Sequence, residues 1–391
     1  MTSSPRVLLL YAKAGAGHRR AAEAIATRLR QLGATVATHD AMRCTHPLFR
    51  AIYVGGGLGL ITRLPRLFDL AYRATDQYAI ERVLRGPRHQ AQRLSSARLL
   101  DAIHAFRPDA IACTHFLPAE LCAGWRRSGQ LTNPLLTIVT DFEPHRLWQH
   151  SGTDGYCVAS EAAADRLARD GIDRSTIQVT GIPIQSEFSG RLDRAAARER
   201  LRIRPEQPLL LIMGGGLGVG GIDHVARSLI RHPLDAQVTI ITGSNRGLRR
   251  QLKEMSADWI VRGFVDNMPD WLAAADVAIS KAGGLAASEL LAAAVPMIIP
   301  ANGLMGHESA NARYLVALGT AIMAASADEA VDQAARLLNN DAARAPLQAA
   351  ALRAARPLAA EASAEFVLRR ARGVKNETTY ALRSTQYAIQ G

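Results

Sequence analysis

Two short apolar runs, one in each half of the chain, lead into glycine-rich loops that are followed by helical sequence. The first run is RVLLLY at 6–11, followed by AKAGAGH, and the second is LLLIM at 209–213, followed by GGGLGVGG. A strand, a glycine loop and a helix in this order open an α/β domain. Because the unit occurs twice, the sequence predicts two successive α/β domains whose glycine loops face a shared cleft.

The remainder of the chain alternates in the same way between β-type runs and helical patterns. In the first half the runs are at 35–39, 110–114, 135–140, 155–159 and 177–180; in the second they are at 237–242, 259–262, 277–280 and 296–299. A polar, arginine-rich stretch at 190–207 separates the halves. We therefore expect one domain over 1–190, a second over 191–373, and a loosely ordered tail over 374–391.

The charge of the chain restricts its partners. Its 391 residues include 47 Lys and Arg against 35 Asp and Glu, a formal net charge of +12. Such an excess is compatible with nucleic acid, an anionic membrane or a phosphorylated substrate. No nucleic-acid-binding motif is present and aromatic residues make up only 5% of the chain, so a nucleic-acid partner is not expected.

Much of the excess lies in residues 43–107, which hold 11 Arg against four acidic residues, a local balance of +7. Apolar and aromatic side chains are interleaved with these arginines. This mixture is typical of a contact with the membrane interface, and we predict that the segment binds an anionic membrane surface. The alternative is an ordinary pair of core helices with a solvated arginine face.

Cysteine spacing and hydropathy indicate the compartment. The four cysteines form no CxxC pair and no Cys/His cluster with zinc-like spacing, so neither a disulfide framework nor a structural metal is expected. The N-terminal residues lack a signal-peptide pattern, and no window of 18 apolar residues occurs. These features predict a cytoplasmic protein that associates peripherally with the inner face of the cell membrane.

The first glycine loop, AGAGH at 14–18, has two interpretations. It is either a tight turn between strand and helix or a helix N-terminus whose glycines, Gly15 and Gly17, let an anion approach the backbone. It lacks the GK[ST] of a Walker A loop and the third glycine of GxGxxG; Asp40 keeps a dehydrogenase alternative open only weakly. His18 is either a helix-cap residue or a general base.

The second half offers two further loops. The glycines of 214–221 let backbone amides approach a diphosphate. Lys281 precedes Gly283 and Gly284, which open a helix that carries Glu289. That carboxylate is placed either to bind sugar hydroxyls, as acidic residues do in other nucleotide sites, or to interact with the helix dipole.

Taken in order, these segments resemble a known family. VLLLYAKAGAGHRRAAEAI, TDFEPHRLWQHSGTDGYCVAS at 140–160, VTGIPI at 179–184, VRGFVDNMPDWLAAADVAISKAGGLAASELLAAAVPMII and GHESANARYL are similar to motifs of the diacylglycerol glycosyltransferases. These are the monogalactosyldiacylglycerol synthases and the processive diacylglycerol glucosyltransferases. The resemblance covers about residues 6 to 325, and the N-acetylglucosaminyltransferase that makes lipid II is a more distant relative.

The resemblance implies a GT-B fold, in which two Rossmann-like domains face a cleft and the C-terminal domain holds a UDP-sugar. It implies a uracil pocket at Phe264 and Val265, and ribose binding by Glu289. The diphosphate would be approached by Gly214, Gly215, Gly216, Gly283 and Gly284, with Lys281 nearby. His307 and Glu308 would contact the hexose, but His307 stands where the family usually has Gln, so the identity of the sugar is open.

On the acceptor side, the resemblance implies that His18 is the base that activates the acceptor, beside Gly15 and Gly17. Asp141, His145 and Trp148 match a motif on the acceptor side of the cleft; the alternative for Asp141 and His145 is structural support of the wall between the domains. The implied reaction is an inverting transfer of a hexose to diacylglycerol, with UDP-sugar as co-substrate and no cofactor or metal, since no DxD-type pair is evident. The alternative is another lipid acceptor, such as a polyprenyl-diphosphate-linked sugar.

Overall fold

The first half of the chain folds around a six-stranded parallel sheet. The computed structural model describes residues 4–13, 16–45, 96–190, 192–302, 304 and 306–373. Its first sheet has the order β2-β1-β3-β4-β5-β6. The strands are β1 Arg6–Tyr11, β2 Thr35–Asp40, β3 Ala110–Cys113, β4 Leu135–Ile138, β5 Gly155–Val158 and β6 Ile177–Val179. Helices α1 Gly17–Gln31, α2 Ala97–Phe106, α3 Phe116–Arg127 and α4 Glu161–Arg169 connect them.

The second half repeats this architecture with the strand order β12-β11-β10-β7-β8-β9, again all parallel. The strands are β7 Leu209–Met213, β8 Gln237–Ile241, β9 Ile260–Arg262, β10 Val277–Ser280, β11 Met297–Pro300 and β12 Ala321–Ala324. The helices are α5 Arg194–Leu201, α6 Ile222–Arg231, α7 Arg246–Met255, α8 Met268–Ala274, α9 Gly284–Ala292, α10 His307–Ala317, α11 Ala327–Leu338, α12 Asp341–Ala354 and α13 Ala359–Ala371.

Buried apolar strands explain why both sheets form. All five residues of β7 and the four central residues of β1 are buried, as expected for parallel strands that are covered by helices on both faces. The strands predicted from the sequence are confirmed to within two residues at each end. Strand β12 and helices α4, α5 and α10 were not predicted.

The last helix, α13, returns to the first half of the chain. Its residues Ala364, Phe366 and Val367 share one buried cluster with Val7 and Leu9 of β1. A methyl group added at Gly155 of β5 would overlap the Phe366 ring. A division of the chain at residue 190 therefore separates α13 from the sheet on which it packs.

The order of strands reverses once in each sheet, between β1 and β3 in the first and between β7 and β10 in the second. Ligands of open α/β sheets bind outside the carboxyl ends of the strands at such a reversal. The described residues that follow these four strands include 16–18 of the first glycine loop, Thr114–His115, the glycine loop 214–221 and the loop 281–283. All three candidate loops that were recognised in the sequence therefore follow strands at the two places where the topology favours binding.

The two halves meet at these loops. A methyl group added at Gly216 would overlap the Ala16 side chain, and one added at Gly284 would overlap the Thr140 carbonyl oxygen. Asn311 of α10 is fully buried; its Oδ1 accepts from the Phe142 amide at 2.9 Å, and its Nδ2 donates to the Ala282 carbonyl at 3.1 Å. The cleft is therefore closed by close backbone approach at glycines and by a buried amide.

Within the described ranges, no helix is both long and apolar enough to cross a bilayer. The predicted membrane contact at 43–107 lies outside the described residues except at its two ends, 43–45 and 96–107. The predicted tail over 374–391 also lies outside them.

Candidate active site

His18 lies in the first turn of α1, directly after the first glycine loop. Its Nδ1 is 2.8 Å from the Thr114 carbonyl oxygen and 2.9 Å from the Thr140 hydroxyl. Because a carbonyl oxygen can only accept, Nδ1 carries a proton, and Nε2 is then the basic nitrogen of the neutral ring. The N-cap of α1 is Ala16, and among the described residues no side chain caps this helix. The cap interpretation of His18 is therefore wrong, and its role as a base stays a prediction.

A second histidine, which the sequence analysis did not single out, lies beside His18. The rings of His18 and His115 meet edge to face with centroids 4.5 Å apart. The Nδ1 of His115 accepts from the Leu117 amide at 3.0 Å and so caps α3. The signal for His115 is its place directly after β3, at the reversal of strand order, which only the topology reveals.

Asp141, His145 and Trp148 are brought together in the loop after β4, and all three are buried. The Trp148 indole donates to the Asp141 carboxylate at 3.0 Å. The Nδ1 of His145 accepts from the Leu147 amide at 3.0 Å and caps the short helical turn Arg146–Trp148. These contacts give the loop its shape, which agrees with the supporting role that was left open for Asp141 and His145.

The second glycine loop folds around the side chain of Lys281. Gly215, Gly218, Gly220 and Gly221 have φ between 64° and 99°, a region that favours glycine. A methyl group at Gly215 would lie 2.9 Å from Lys281 Cε. Gly214 is similarly confined, since an added methyl group there would overlap Ile222. The glycines therefore bring backbone and an ammonium group into one cluster.

Lys281 also joins this loop to helix α10. Its ammonium group pairs with the carboxylate of Glu308, which is only 4% exposed. Glu308, one of the two predicted hexose-binding residues, thus lies beside the second glycine loop, in the first turn of α10. The side chain of His307 and the whole of Gly15 lie outside what the structure describes, so their predicted roles stay predictions. Gly17 is the first residue of α1 and faces Leu285 across the cleft, 3.6 Å from where a methyl group would be.

Glu289 is a buried carboxylate with an unused acceptor. It lies in α9 and is 4% exposed, and its Oε1 has no hydrogen-bond partner among the described residues. Burial raises the pKa of Glu289 to about 7, and the positive charge of Arg20 opposes that rise. Buried polar atoms are nearly always paired. Glu289 Oε1 is therefore available to accept a hydrogen bond from a ligand, for example from a hydroxyl group.

Phe264 and Val265, the predicted uracil pocket, are in contact with the first domain. The Phe264 side chain remains 42% exposed. The guanidinium of Arg20, from α1, lies 5.0 Å from the centroid of the Phe264 ring and donates to the Val265 carbonyl at 2.8 Å. Arg20 was not among the predicted site residues, because it lies 245 positions from Val265 in the sequence.

The raised pKa predicts how Glu289→Gln changes stability. A carboxyl group with a pKa of about 7 in the folded chain and about 4.5 in the unfolded chain stabilises the fold below pH 4.5. That contribution is lost as the pH rises from 4.5 through 7. The loss amounts to about 3 kcal/mol, because each pH unit between the two pKa values costs about 1.4 kcal/mol. Denaturant unfolding at pH 5 and pH 8 is therefore expected to show a smaller loss of stability for Glu289→Gln than for the wild type.

The control for that measurement is Glu254→Gln, which changes an exposed carboxylate of α7. It is expected to follow the pH dependence of the wild type. If the wild type and Glu289→Gln lost the same free energy of unfolding between the two pH values, the claim that burial raises the pKa of Glu289 would be contradicted.

Comparison with known proteins gives consistent matches over both halves. Residues 18–184 match the family model of monogalactosyldiacylglycerol (MGDG) synthase, and residues 209–364 match that of the glycosyltransferase family 28 C-terminal domain. Processive diacylglycerol beta-glucosyltransferases of Staphylococcus epidermidis and Bacillus subtilis are 26% and 25% identical over 348 residues. Each alignment covers 87% of this chain, and 86% and 89% of the respective relative.

The solved structures show a likeness of fold. The crystal structure of Acinetobacter baumannii MurG has a TM-score of 0.57 to this chain and is 18% identical in sequence. The likeness covers 93% of this chain and 99% of the MurG chain, so it includes both sheets and the cleft between them.

Proposed function

Because the chain belongs to the GT-B glycosyltransferases that join an MGDG synthase domain to a family 28 C-terminal domain, we propose that it transfers a hexose from a UDP-sugar to diacylglycerol with inversion. The family and the fold that were predicted from the sequence are confirmed by these matches, and the chain is a hexosyltransferase. The names of its relatives support diacylglycerol as the acceptor.

The observation that carries the proposal is the position of His18 beside the donor-side loops. Ala16, two residues before His18, contacts Gly216. Thr140, whose hydroxyl is 2.9 Å from His18 Nδ1, presents its carbonyl to Gly284. The proposed base lies on one wall of the cleft and the proposed phosphate-binding loops lie on the other. The acceptor hydroxyl and the anomeric carbon would then lie between them, as a single displacement requires.

The displacement follows from this geometry. His18 Nε2 removes the proton of the acceptor hydroxyl, and the hydroxyl oxygen attacks the anomeric carbon on the face opposite to the UDP. The new glycosidic bond forms as the bond from the anomeric carbon to the β-phosphate oxygen breaks. The Thr114 carbonyl, which already accepts from Nδ1, stabilises the imidazolium that results.

The leaving UDP is stabilised from the second domain. Lys281 and the glycine amides of 214–221 lie where the departing diphosphate gains charge, and helices α6 and α9 direct their N-termini to the same place. Glu289 Oε1 accepts from the ribose hydroxyls, which gives this orphaned atom a partner. Phe264 and Val265 receive the uracil. The transfer takes place at the cytoplasmic face of the membrane, to which residues 43–107 bind through their +7 charge.

The test is incubation of the full chain with diacylglycerol vesicles and, in turn, labelled UDP-glucose, UDP-galactose, UDP-glucuronate and UDP-N-acetylglucosamine. We expect a labelled glycolipid from at least one donor and none from ADP-glucose. Absence of product with every UDP-sugar would contradict the proposal. Product only when a polyprenyl-diphosphate-linked sugar replaces diacylglycerol would assign the other class of lipid acceptor.

A further inference from the structure

Arg20 is the residue of the first domain that covers the nucleoside pocket of the second. Its guanidinium donates to the Val265 carbonyl at 2.8 Å and lies 5.0 Å from the Phe264 ring centroid. In the proposed function these are the carbonyl and the ring face that meet the base. A base that enters this pocket must therefore first displace a charged hydrogen bond and a cation–π contact.

The position of Arg20 on α1 allows the guanidinium to move towards the diphosphate loops. The Arg20 amide donates to the Ala16 carbonyl at 3.0 Å, so the two residues are one helical turn apart, about 6 Å along the axis. Ala16 is in contact with Gly216 of the second glycine loop. The long arginine side chain can thus reach either the Val265 carbonyl or the mouth of the glycine loop from one backbone position.

The side chain of Arg20 is not enclosed on every side. A cavity of about 260 Å³ is bounded by Arg20, by Asp266 next to the nucleoside pocket, and by Gln185 of the segment that connects the two halves. The charge of Arg20 also acts on the neighbouring Glu289, whose Oε1 lacks a partner. An anionic group that enters the cleft would compete with the Val265 carbonyl and with Glu289 for the guanidinium, because an ion pair with phosphate is stronger than a hydrogen bond to a neutral carbonyl.

We propose that Arg20 makes the nucleoside pocket selective for nucleosides that carry a diphosphate: the guanidinium closes the empty pocket, and a diphosphate draws it away and opens it. The inference rests on the proposed function, since it assumes that the ligand is a uridine nucleotide. Arg20 is a positioning residue in this scheme, and it does not touch the anomeric carbon.

The test compares uridine with UDP as ligands of the full chain, by calorimetry and ligand-observed NMR. Arg20→Met keeps the length of the side chain and removes its charge and its donors. Uridine no longer has to displace the guanidinium, so its Kd is expected to fall about threefold to tenfold. UDP loses a cationic partner, so its Kd is expected to rise by a similar factor, about threefold to tenfold. The ratio of the uridine Kd to the UDP Kd therefore falls by about tenfold or more.

Two variants complete the test. Arg19→Met removes the neighbouring arginine, which pairs with Glu23 at 3.6 Å, and is expected to leave the ratio within about twofold of the wild type, the ordinary scatter for an exposed ion pair. Arg20→Lys keeps the charge and is expected to retain a ratio between those of the wild type and Arg20→Met. A ratio unchanged in Arg20→Met, in a wild type that binds UDP, overturns this inference alone. A wild type that binds neither ligand overturns the proposed function together with it.

Discussion

Replacing His18 with alanine is expected to lower turnover by about 10²–10⁴-fold, the usual contribution of a positioned general base. The variant removes the nitrogen that is proposed to take the acceptor proton, and it is expected to leave the Lys281 cluster and the pocket around Glu289 unchanged. The KM for the UDP-sugar is therefore expected to stay close to that of the wild type. Initial rates of glycolipid formation at saturating acceptor, with the UDP-sugar concentration varied from below to above its KM, measure both quantities.

The matched control is His104→Ala, which removes an exposed histidine of α2 whose Nε2 contacts the Gln130 carbonyl at 3.1 Å. It is expected to turn over like the wild type. Full turnover in His18→Ala would refute the assignment of His18 as the base. A large rise in donor KM without a change in turnover would move His18 to the donor site instead.

The second large effect is expected from Gly284→Ala, which places a methyl group where the Thr140 carbonyl oxygen now lies. Both the start of α9 and the Thr140 carbonyl are backbone, which cannot move aside as a flexible side chain would. The two walls of the cleft must therefore separate. A displacement of about 1 Å between reacting groups costs on the order of 10²-fold in rate. We therefore expect turnover to fall by about 10²-fold or more, while each domain keeps its own core. Small-angle scattering of the ligand-free protein is expected to show a larger radius of gyration.

Gly283→Ala is the structural control for the scattering measurement. A methyl group at Gly283 meets no atom within 4 Å, and its φ of −71° is ordinary for alanine. The radius of gyration of this variant is expected to equal that of the wild type. If Gly284→Ala gave the same scattering curve as Gly283→Ala, the close approach of α9 to Thr140 would be wrong.

The sequence predicted the local units of this protein well. The apolar strands β1 and β7, the glycine loop after β7 and the helix that carries Glu289 are all determined by neighbouring residues, and the structure confirms them. The family that was predicted from the sequence has the same motifs in the same order along the chain. The local pattern therefore identifies the segments that meet at the cleft, whereas the roles predicted for their individual residues stay predictions.

Contacts between distant segments account for what was not predicted. In the sequence, Arg20 occupies a polar position of an amphipathic helix. Its contact with Val265 becomes visible only in the folded structure, where the two domains touch. Helix α13 reads as a continuation of the second domain, but Phe366 packs beside Gly155 of the first. Helix α1 likewise contacts α9, which carries Glu289, from the other half of the chain. No periodicity in the sequence encodes these pairings.

The measurement that tests the central claim most directly is the anomeric configuration of the product. An α-linked UDP-hexose and diacylglycerol are incubated with the full chain, and the glycolipid is examined by proton NMR. A single displacement with His18 as base predicts a β-glycoside, with the coupling constant of a diaxial anomeric proton when the hexose is glucose or galactose. An α-glycoside, or no glycolipid at all, would contradict the account.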